Sequence, residues 1–363
     1  TRVWRCAVAG GLLVTAGEDG TVRVWDRGCA GQPVATWRQC KKNVWALAAT
    51  PTLAATGASD GSVRLWALAD ARRRCVEDTA LLDAIQLPPP ASYLPEPAAA
   101  AGAPRAAEHI RGFALPAWDA AVVAVDSGCL LARGAAGSWS APLHVPGLAG
   151  YAVVADCGAG RVAVGMRDGT VLLVRADAGR APAVVASARL HTHAVQQLHR
   201  AREMAVGPGA GACDLITVDA GGAVLWTRLG PAGDGLAWDV RAALAVPGAA
   251  RVATAAVSAV LGWAALGSVN GGLYLYDLPP HLPGCPAAAY DPAAGSAAVP
   301  LLAPAAQWLQ AHGKHTLAAL DFEPPPAAPT APGPRDCVLL TGGRDGQMHR
   351  FAISVAAEPA AAA

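Results

Sequence analysis

Residues 12–26 read LLVTAGEDGTVRVWD, and residues 53–68 repeat the same plan as LAATGASDGSVRLWAL. In both stretches an apolar run leads into Asp-Gly, and an alternating run that ends in Trp follows. A Thr, an Asp and a Trp keep a spacing of four and six residues in both copies: Thr15, Asp19, Trp25 and Thr56, Asp60, Trp66. Asp-Gly between alternating apolar runs predicts a tight β-hairpin, because Gly tolerates the positive φ that such a turn requires.

Five further stretches follow this plan more loosely. They lie at residues 121–133, 162–176, 215–229, 263–278 and 338–353. Asp168, Asn270 and Asp345 stand at three of the turns, and Thr341 restores the four-residue spacing in the last unit. Hairpins that recur every ~40–50 residues predict four-stranded sheets arranged around one axis. The sequence therefore predicts an all-β, seven-bladed propeller in residues 1–355.

The ends of this predicted ring differ. The first hairpin has a candidate strand on each side, at residues 3–8 and 33–37. The last hairpin ends at Ile353, and after Ser354 and Val355 only Ala, Glu and Pro follow it. We therefore expect the last blade to lack its outer strand, and we expect residues upstream of Thr1 in a longer chain to donate one.

Three Pro/Ala-rich segments at 87–109, 279–304 and 324–334 are expected to be mobile loops, and the tail at 356–363 is expected to be disordered.

Composition excludes several classes of protein. The 363 residues carry 28 Lys and Arg against 27 Asp and Glu, so the net charge of +1 excludes a strongly basic nucleic-acid binder and an acidic tail protein. The nine cysteines are widely spaced and form no Cys-x-x-Cys pair, which argues against a zinc site or a disulfide scaffold. Residues 252–269 carry no charge, but they contain polar residues and run into the Asn270-Gly271 turn. We therefore expect no membrane span.

No catalytic machinery is visible. Residues 57–61 match the Gly-x-Ser-x-Gly nucleophile pattern around Ser59, but an alternating strand follows where that motif needs a helix. His191, His193 and His199 form a cluster without a fourth ligand in reach, so structural or solvent-facing histidines are the favoured interpretation. Phosphate-binding glycine loops and paired catalytic carboxylates are absent as well. We therefore expect a protein that is not an enzyme and that holds no metal or cofactor.

The basic residues are unusual in kind, because 25 of the 28 are Arg. Two groups follow strands of the first two units, and a third belongs to the last unit. The candidate contacts for RNA or a protein partner are Arg38, Lys41, Lys42, Arg72, Arg73, Arg74, His312, Lys314 and Arg344. Two interpretations stay open: solvated charged turns, or contacts to a phosphate backbone, which would be sensitive to salt and blind to sequence.

The Asp-Gly and Trp units resemble the WD40 family. In that family a Ser or Thr, the turn Asp and the Trp join a His in a buried hydrogen-bonded set, and the first two units match three of these four positions. Elsewhere Val174, Tyr276 or Phe351 replaces the Trp, and no Gly-His dipeptide clearly precedes a unit. We therefore expect packing, rather than a complete polar set, to hold most blades together.

A narrower resemblance rests on several segments. They are HGK at 312–314 before GRDG at 343–346, RVWRCAV at 2–8, NVWALAA at 43–49, and RGFALPAWDAAVVAVDSGCLL at 111–131. These segments resemble the WD repeat-containing protein 6 family over nearly the whole chain, most weakly at 134–247. The low Lys content departs from that family's pattern and bears on how far the chain itself contacts tRNA.

The narrower resemblance implies a function. Members act as non-catalytic partners of a tRNA 2′-O-methyltransferase that modifies the wobble nucleotide, and S-adenosylmethionine binds to the methyltransferase. The chain would then be the C-terminal propeller of a longer cytoplasmic protein, with tRNA as a possible direct contact and no membrane partner. A general protein-interaction propeller, such as a ubiquitin-ligase substrate receptor or a trafficking scaffold, stays open as the alternative.

Overall fold

A computed structural model shows seven sheets around a common axis, and their strands pair antiparallel except for one short parallel pair in the fifth sheet. The residues that the structure describes are 2–9, 12–26, 33–68, 81–87, 110–117, 120–125, 127–133, 138–148, 153–158, 160–176, 180–201, 213–232, 235–279, 281–294, 299–322, 337–345 and 347–353. Within this part of the chain, no helix is long and apolar enough to cross a bilayer. The predicted all-β, seven-bladed propeller is confirmed.

Each of the first four blades is a meander of four consecutive strands. Blade 1 contains β1 (Val3–Ala9), β2 (Leu12–Gly17), β3 (Thr21–Asp26) and β4 (Ala35–Arg38). Blade 2 contains β5 (Val44–Ala49), β6 (Leu53–Ala58), β7 (Ser62–Ala67) and β8 (Leu81–Gln86). Blade 3 contains β9 (Ile110–Ala117), β10 (Ala120–Val125), β11 (Cys129–Arg133) and β12 (Leu143–His144). Blade 4 contains β13 (Val153–Gly158), β14 (Arg161–Gly165), β15 (Thr170–Arg175) and β16 (Ala183–Arg189).

The last three blades are less regular. Blade 5 contains β17 (Val195–Arg200), β18 (Cys213–Asp219), β19 (Val224–Ala232) and β20 (Gly235–Leu244). Blade 6 contains β21 (Val252–Ser258), β22 (Trp263–Ser268), β23 (Leu273–Asp277) and, after a long excursion, β26 (Ala306–Trp308). Blade 7 contains β27 (Leu317–Phe322), β28 (Cys337–Gly343) and β29 (Met348–Ile353).

The excursion in blade 6 differs from the mobile loop expected at 279–304. Two short strands in it, β24 (Cys285–Pro286) and β25 (Leu301–Leu302), pair with β20, the outer strand of blade 5. Tyr290 and Val299 are buried in the core cluster of blades 4 and 5. These buried apolar side chains hold the segment against blade 5, although its Pro and Ala content predicts a mobile loop. The other two expected loops, apart from Leu87, and the tail at 356–363 lie outside the described residues.

The core lies between neighbouring blades rather than inside any one sheet. Between blades 1 and 2, for example, Trp37 of β4 stacks on Trp66 of β7 with ring centroids 4.9 Å apart and planes 9° apart, and both rings are fully buried. Burying about 200 Å² of such a ring at about 25 cal/mol per Å² contributes up to about 5 kcal/mol. The alternating apolar positions of the strands therefore join one blade to the next.

The ring closes by packing of the inner strands. β1, β5, β9, β13, β17, β21 and β27 contact one another in that order, and β27 contacts β1. Blade 1 and blade 7 meet at a seam where the buried cluster holds only Leu13 and Leu340, with four half-buried neighbours. The sheet of blade 7 has three strands among the described residues. Side chains, rather than a strand shared by both blades, therefore close the described ring.

Candidate interaction face

One face of the propeller carries most of the residues that the sequence singled out. Each inner strand begins at this face, so the connections between blades and the turns between second and third strands all lie there. Backbone hydrogen bonds link these loops from blade to blade, as in Asn43 N–H to the carbonyl of Glu18 at 2.8 Å and Ser59 N–H to the carbonyl of Asn43 at 3.1 Å. We call this the entry face.

The Thr–Trp pairs of blades 1 and 2 form hydrogen bonds beneath this face. The indole N–H of Trp25 donates to Thr15 Oγ1 at 2.9 Å, and that of Trp66 donates to Thr56 Oγ1 at 2.8 Å. In blade 2 the position of the family's His is taken by Gln39, which is buried and donates to the carbonyl oxygens of Thr56 and Ser62. A Gln amide therefore replaces the imidazole.

The turn residues cap the first residues of the third strands. Asp60 Oδ1 accepts hydrogen bonds from the backbone and hydroxyl of Ser62, and Asp168 Oδ1 accepts one from Thr170 N–H. In blade 6, Ser268 Oγ accepts the N–H of Gly272, while Asn270 is exposed at the turn. Asn270 thus occupies the predicted turn, and Ser268 supplies the capping oxygen.

Asp19 makes the richest set of contacts of these turn residues. Its Oδ1 accepts from the backbone and hydroxyl of Thr21, and its Oδ2 is 2.6 Å from the Arg23 guanidinium. Partial burial raises the pKa of Asp19, but the hydrogen bonds from Thr21 and Arg23 outweigh burial and lower that pKa to about 2. Asp19 is therefore ionised throughout the neutral and mildly acidic range.

Among the described residues, blades 5 and 7 each contain a His–Thr–Asp set that the sequence did not reveal. His191 Nε2 accepts from Thr217 Oγ1 at 2.8 Å, and its Nδ1 faces Asp219 at 3.5 Å. The sequence spacing did not indicate this set for two reasons. Thr217 and Asp219 are two residues apart instead of four, and the 12-residue connection 201–212 separates the strands β17 and β18. The Leu190-His191 dipeptide stands where the family has Gly-His, and it is the sequence feature that could have indicated this set.

In blade 7 the corresponding imidazole is His312. Its Nε2 accepts from Thr341 Oγ1 at 2.6 Å, and its Nδ1–H donates to Asp345 Oδ2 at 3.0 Å. Burial lowers the pKa of His312, although Asp345 opposes that effect. His312 is only 2% exposed, so its expected role as an RNA or partner contact is corrected: it is a structural residue of blade 7.

A β-bulge recurs where the inner strands begin. In six blades the register shifts after the first residue of the inner strand, so that the second residue has no partner on the next strand. The bulged residues are Trp4, Trp45, Arg111, Gln196, Ala253 and Ala318. Bulges redirect side chains away from the pleat of a sheet. Blades 1 and 2 thus each place a tryptophan at the entry face.

These two tryptophans form a pair. Their ring centroids are 5.0 Å apart with planes tilted by 40°, and Trp45 is 38% exposed. The indole N–H of Trp4 donates to Asn43 Oδ1 at 3.3 Å, and the Arg344 guanidinium lies 5.3 Å from the Trp4 ring centroid. Arg344 belongs to the turn of blade 7, so this cation–π contact spans the seam.

Most of the other predicted cations lie on the same face as this pair. Lys41 and Lys42 are exposed in the connection that leads through Asn43 to Trp45, and Lys314 is exposed in the connection that leads into β27. Arg38 is exposed at the end of β4, at the outer side of the same connection as the lysines. We call Trp4, Trp45, Arg344, Lys41 and Lys42 the tryptophan rim. Arg72, Arg73 and Arg74 lie outside the described residues.

The residues of the apparent catalytic and metal motifs have structural surroundings. Ser59 lies in a strand–turn–strand unit, and its hydroxyl donates to the carbonyl of Lys42 at 2.5 Å. His193 is exposed, whereas His199 Nε2 accepts the backbone N–H of Ala255 at 3.3 Å. Among the described residues no three His, Cys, Asp or Glu side chains are grouped to hold a metal ion.

His199 and Arg5 mark the central channel. They belong to the inner strands of blades 5 and 1, which are not neighbours, so they interact across the axis. Burial, together with the positive charge of Arg5, lowers the pKa of His199 to about 3. The imidazole is therefore neutral near pH 7, and its Nε2 also lies 3.0 Å from Gln197 Oε1.

Comparisons with known proteins agree with this architecture. Residues 1–26 and 31–67 match the family model described as WD domain, G-beta repeat. Among solved structures, the β-propeller domain of Cps50 (Swd1) from Myceliophteria thermophila aligns with a TM-score of 0.65 and 12% identity, over 97% of this chain and 96% of that chain. The computationally designed Ika8 protein aligns with a TM-score of 0.58 and 14% identity, over the same shares.

At these identities the likeness to solved structures concerns the fold alone. A search of curated proteins found no match. The family match covers the first two blades, where the Thr, Asp and Trp spacing is complete. The chain is therefore a seven-bladed β-propeller whose first two blades match the WD40 repeat model.

Proposed function

We propose that this propeller is a non-catalytic adaptor that helps a partner methyltransferase to 2′-O-methylate the wobble nucleotide of tRNA in the cytoplasm. The proposal is supported by the resemblance at residues 312–314 and 343–346 and by the cations grouped on the entry face. S-adenosylmethionine and the reacting groups belong to the methyltransferase. This chain contributes a rigid surface that positions the partner and the tRNA.

The grouping of cations on one face is the observation that carries this proposal. Arg38, Lys41, Lys42, Lys314 and Arg344 are all exposed there, although the whole chain has a net charge of only +1. Phosphate contacts of this kind orient a nucleic acid without reading its sequence. A surface with few cations adds to the affinity of the methyltransferase for tRNA but does not supply that affinity by itself.

The test is the methylation of cellular tRNA. Deleting the gene should abolish 2′-O-methylation at the wobble position, as measured by mass spectrometry of tRNA fragments. The wild-type gene and the matched control Arg189→Glu, on the outer strand of blade 4, should restore it. The triple variant Lys41→Glu, Lys42→Glu and Arg344→Glu should restore much less. Normal wobble methylation in the deletion strain would overturn the proposal.

A second candidate is a protein-interaction propeller without any link to tRNA, such as a ubiquitin-ligase substrate receptor or a trafficking scaffold. The exposed Trp45, which contacts Trp4, and the exposed Arg344, which also contacts Trp4, favour it, because Trp and Arg are enriched at the energetic centres of protein interfaces. Affinity purification after nuclease treatment separates the two candidates. Recovery of a methyltransferase supports the first, whereas recovery of ligase or coat subunits without a methyltransferase supports the second.

A further inference from the structure

We propose that the tryptophan rim docks an acidic, extended segment of a protein partner. Carboxylates of that segment pair with Arg344, Lys41 and Lys42, and an apolar side chain between them rests against Trp45. The inference rests on the proposed function only in that the chain is a scaffold. It adds where the partner binds and what chemistry the docked segment has.

The rim is held in place before any partner arrives. Asn43 has a φ of +59°, a left-handed conformation that Asn tolerates better than most residues, and this conformation directs its side chain to the Trp4 indole. The carbonyl of Lys42 accepts the Ser59 hydroxyl, and the backbone N–H of Arg344 donates to the carbonyl of Thr316 at 2.9 Å. A surface fixed in this way loses little conformational freedom on binding.

The charge of the rim favours an acidic partner. Nearby carboxylates are already engaged: Glu18 lies 3.7 Å from Arg2, and Asp345 accepts from His312. Among the described residues, Arg344, Lys41 and Lys42 form no ion pair with a carboxylate, although Arg344 contacts the Trp4 ring. Three cations suit two or three carboxylates of a peptide, whereas the same three cations contribute only part of the affinity for a nucleic acid.

The aromatic geometry favours a peptide over a stacked base. The Trp4 ring already contacts Trp45 and Arg344, so it is not an open platform. Base recognition of single strands uses free aromatic faces in series. The exposed part of Trp45 instead offers a small apolar surface beside cations, which matches an apolar side chain flanked by Asp or Glu.

The rim also spans the seam of the ring. Trp4 and Trp45 belong to blades 1 and 2, while Arg344 belongs to blade 7. A segment that touches all three binds only when the seam is closed, so binding must stabilise the closed ring by mass action. Hydrogen exchange in β1 and β27 should therefore slow when the peptide is bound.

The experiment is an unbiased selection from a display library of random nonapeptides on the full chain. The peptides that emerge are expected to carry at least three Asp or Glu around one apolar residue. Their synthetic forms should bind about tenfold or more weakly to Arg344→Glu, to the double variant Lys41→Glu and Lys42→Glu, and to Trp45→Ala. The matched controls, Arg189→Glu and Val185→Ala at exposed sites on β16 of blade 4, should bind normally.

Several results would overturn the inference. Selected peptides that are neutral or basic, or that bind the rim variants normally, would exclude an acidic segment at this site. A ten-nucleotide oligouridine that binds the wild-type rim more tightly than every selected peptide would assign the rim to single-stranded RNA instead. The readouts are independent of wobble methylation, so a strain with normal methylation would remove the tRNA role without affecting the peptide result.

Discussion

At the scale of single residues, the two Thr–Trp pairs differ in burial although their spacing is the same. Trp66 is fully buried and stacks on Trp37, whereas Trp25 is partly exposed near the seam. The hydrogen bond to the threonine hydroxyl has nearly the same length in both blades. Comparing variants of Trp25 and Trp66 therefore separates the effect of burial on stability from the effect of the hydrogen bond.

We expect Trp66→Phe to lower the free energy of unfolding by about 2–3 kcal/mol, because it removes a buried hydrogen bond and leaves space beside Trp37. Trp25→Phe, the matched variant, should cost about 1 kcal/mol, since the smaller ring leaves less empty space at a partly exposed position. Urea denaturation measures both changes. Equal losses in the two variants would show that burial does not decide the effect.

Asp19 predicts a specific response to acid. Its folded-state pKa of about 2 lies below its ordinary value of 3.8, so the ionised form stabilises the fold above about pH 4. This contribution should disappear as the pH falls from about 4 to about 2. Asp19→Asn should therefore be less stable than wild type at pH 6, and the difference should narrow toward pH 2 in denaturation series. A difference independent of pH would contradict this assignment.

At the scale of elements, the tight turns depend on glycines for two separable reasons. Gly20 has a φ of +77°, and a Cβ there would overlap the carbonyl oxygen of Cys40 in the connection to blade 2. Gly222, in the β18–β19 turn, has a φ of +93°, but a Cβ there would meet nothing within 4 Å. One glycine is thus required by conformation and space, the other by conformation alone.

We expect Gly222→Ala to cost about 1 kcal/mol of unfolding free energy from backbone strain. Gly20→Ala should cost about 3 kcal/mol or more, because strain and the overlap with Cys40 add. Chemical denaturation of both variants tests the difference. The Gly20 variant should also weaken peptide binding, since the displaced connection carries Lys41 and Lys42; similar stability in the two variants would refute the spatial argument.

The elements also show what the sequence could predict. The Asp-Gly turns and alternating runs were enough to predict the propeller, because hairpins are local. The bulges that expose Trp4 and Trp45 were not predicted, since a bulge depends on pairing with the next strand. His312 was misassigned because its partner Thr341 is 29 residues away, across a Pro-rich segment that obscures the spacing. Local signals thus indicate blades, and distant contacts determine the role of each residue.

At the scale of the whole molecule, the seam between blades 7 and 1 has the smallest buried apolar cluster of the seven junctions between described blades. Its buried cluster is two leucines, whereas the cluster between blades 1 and 2 has 13 buried members. Opening of the ring should therefore begin at the seam, as a partial unfolding step below the global free energy.

Leu340→Ala should accelerate hydrogen exchange selectively in β1 and β27, with a loss of about 2–3 kcal/mol in the local opening free energy. Leu131→Ala, in the cluster between blades 2 and 3, is the matched control and should leave β1 and β27 protected. Exchange followed by mass spectrometry resolves these strands. Acceleration spread evenly around the ring would show that the seam is no weaker than other junctions.

The excursion between β23 and β26 has a consequence for how the chain acquires its structure. β24 and β25 complete the outer edge of blade 5, but they follow the first three strands of blade 6 in the chain, and blade 6 is completed only by β26. Blade 5 therefore cannot finish before most of blade 6 exists. These two blades should form and melt together as one cooperative folding unit, because no other pair of neighbouring blades shares strands in this way among the described residues.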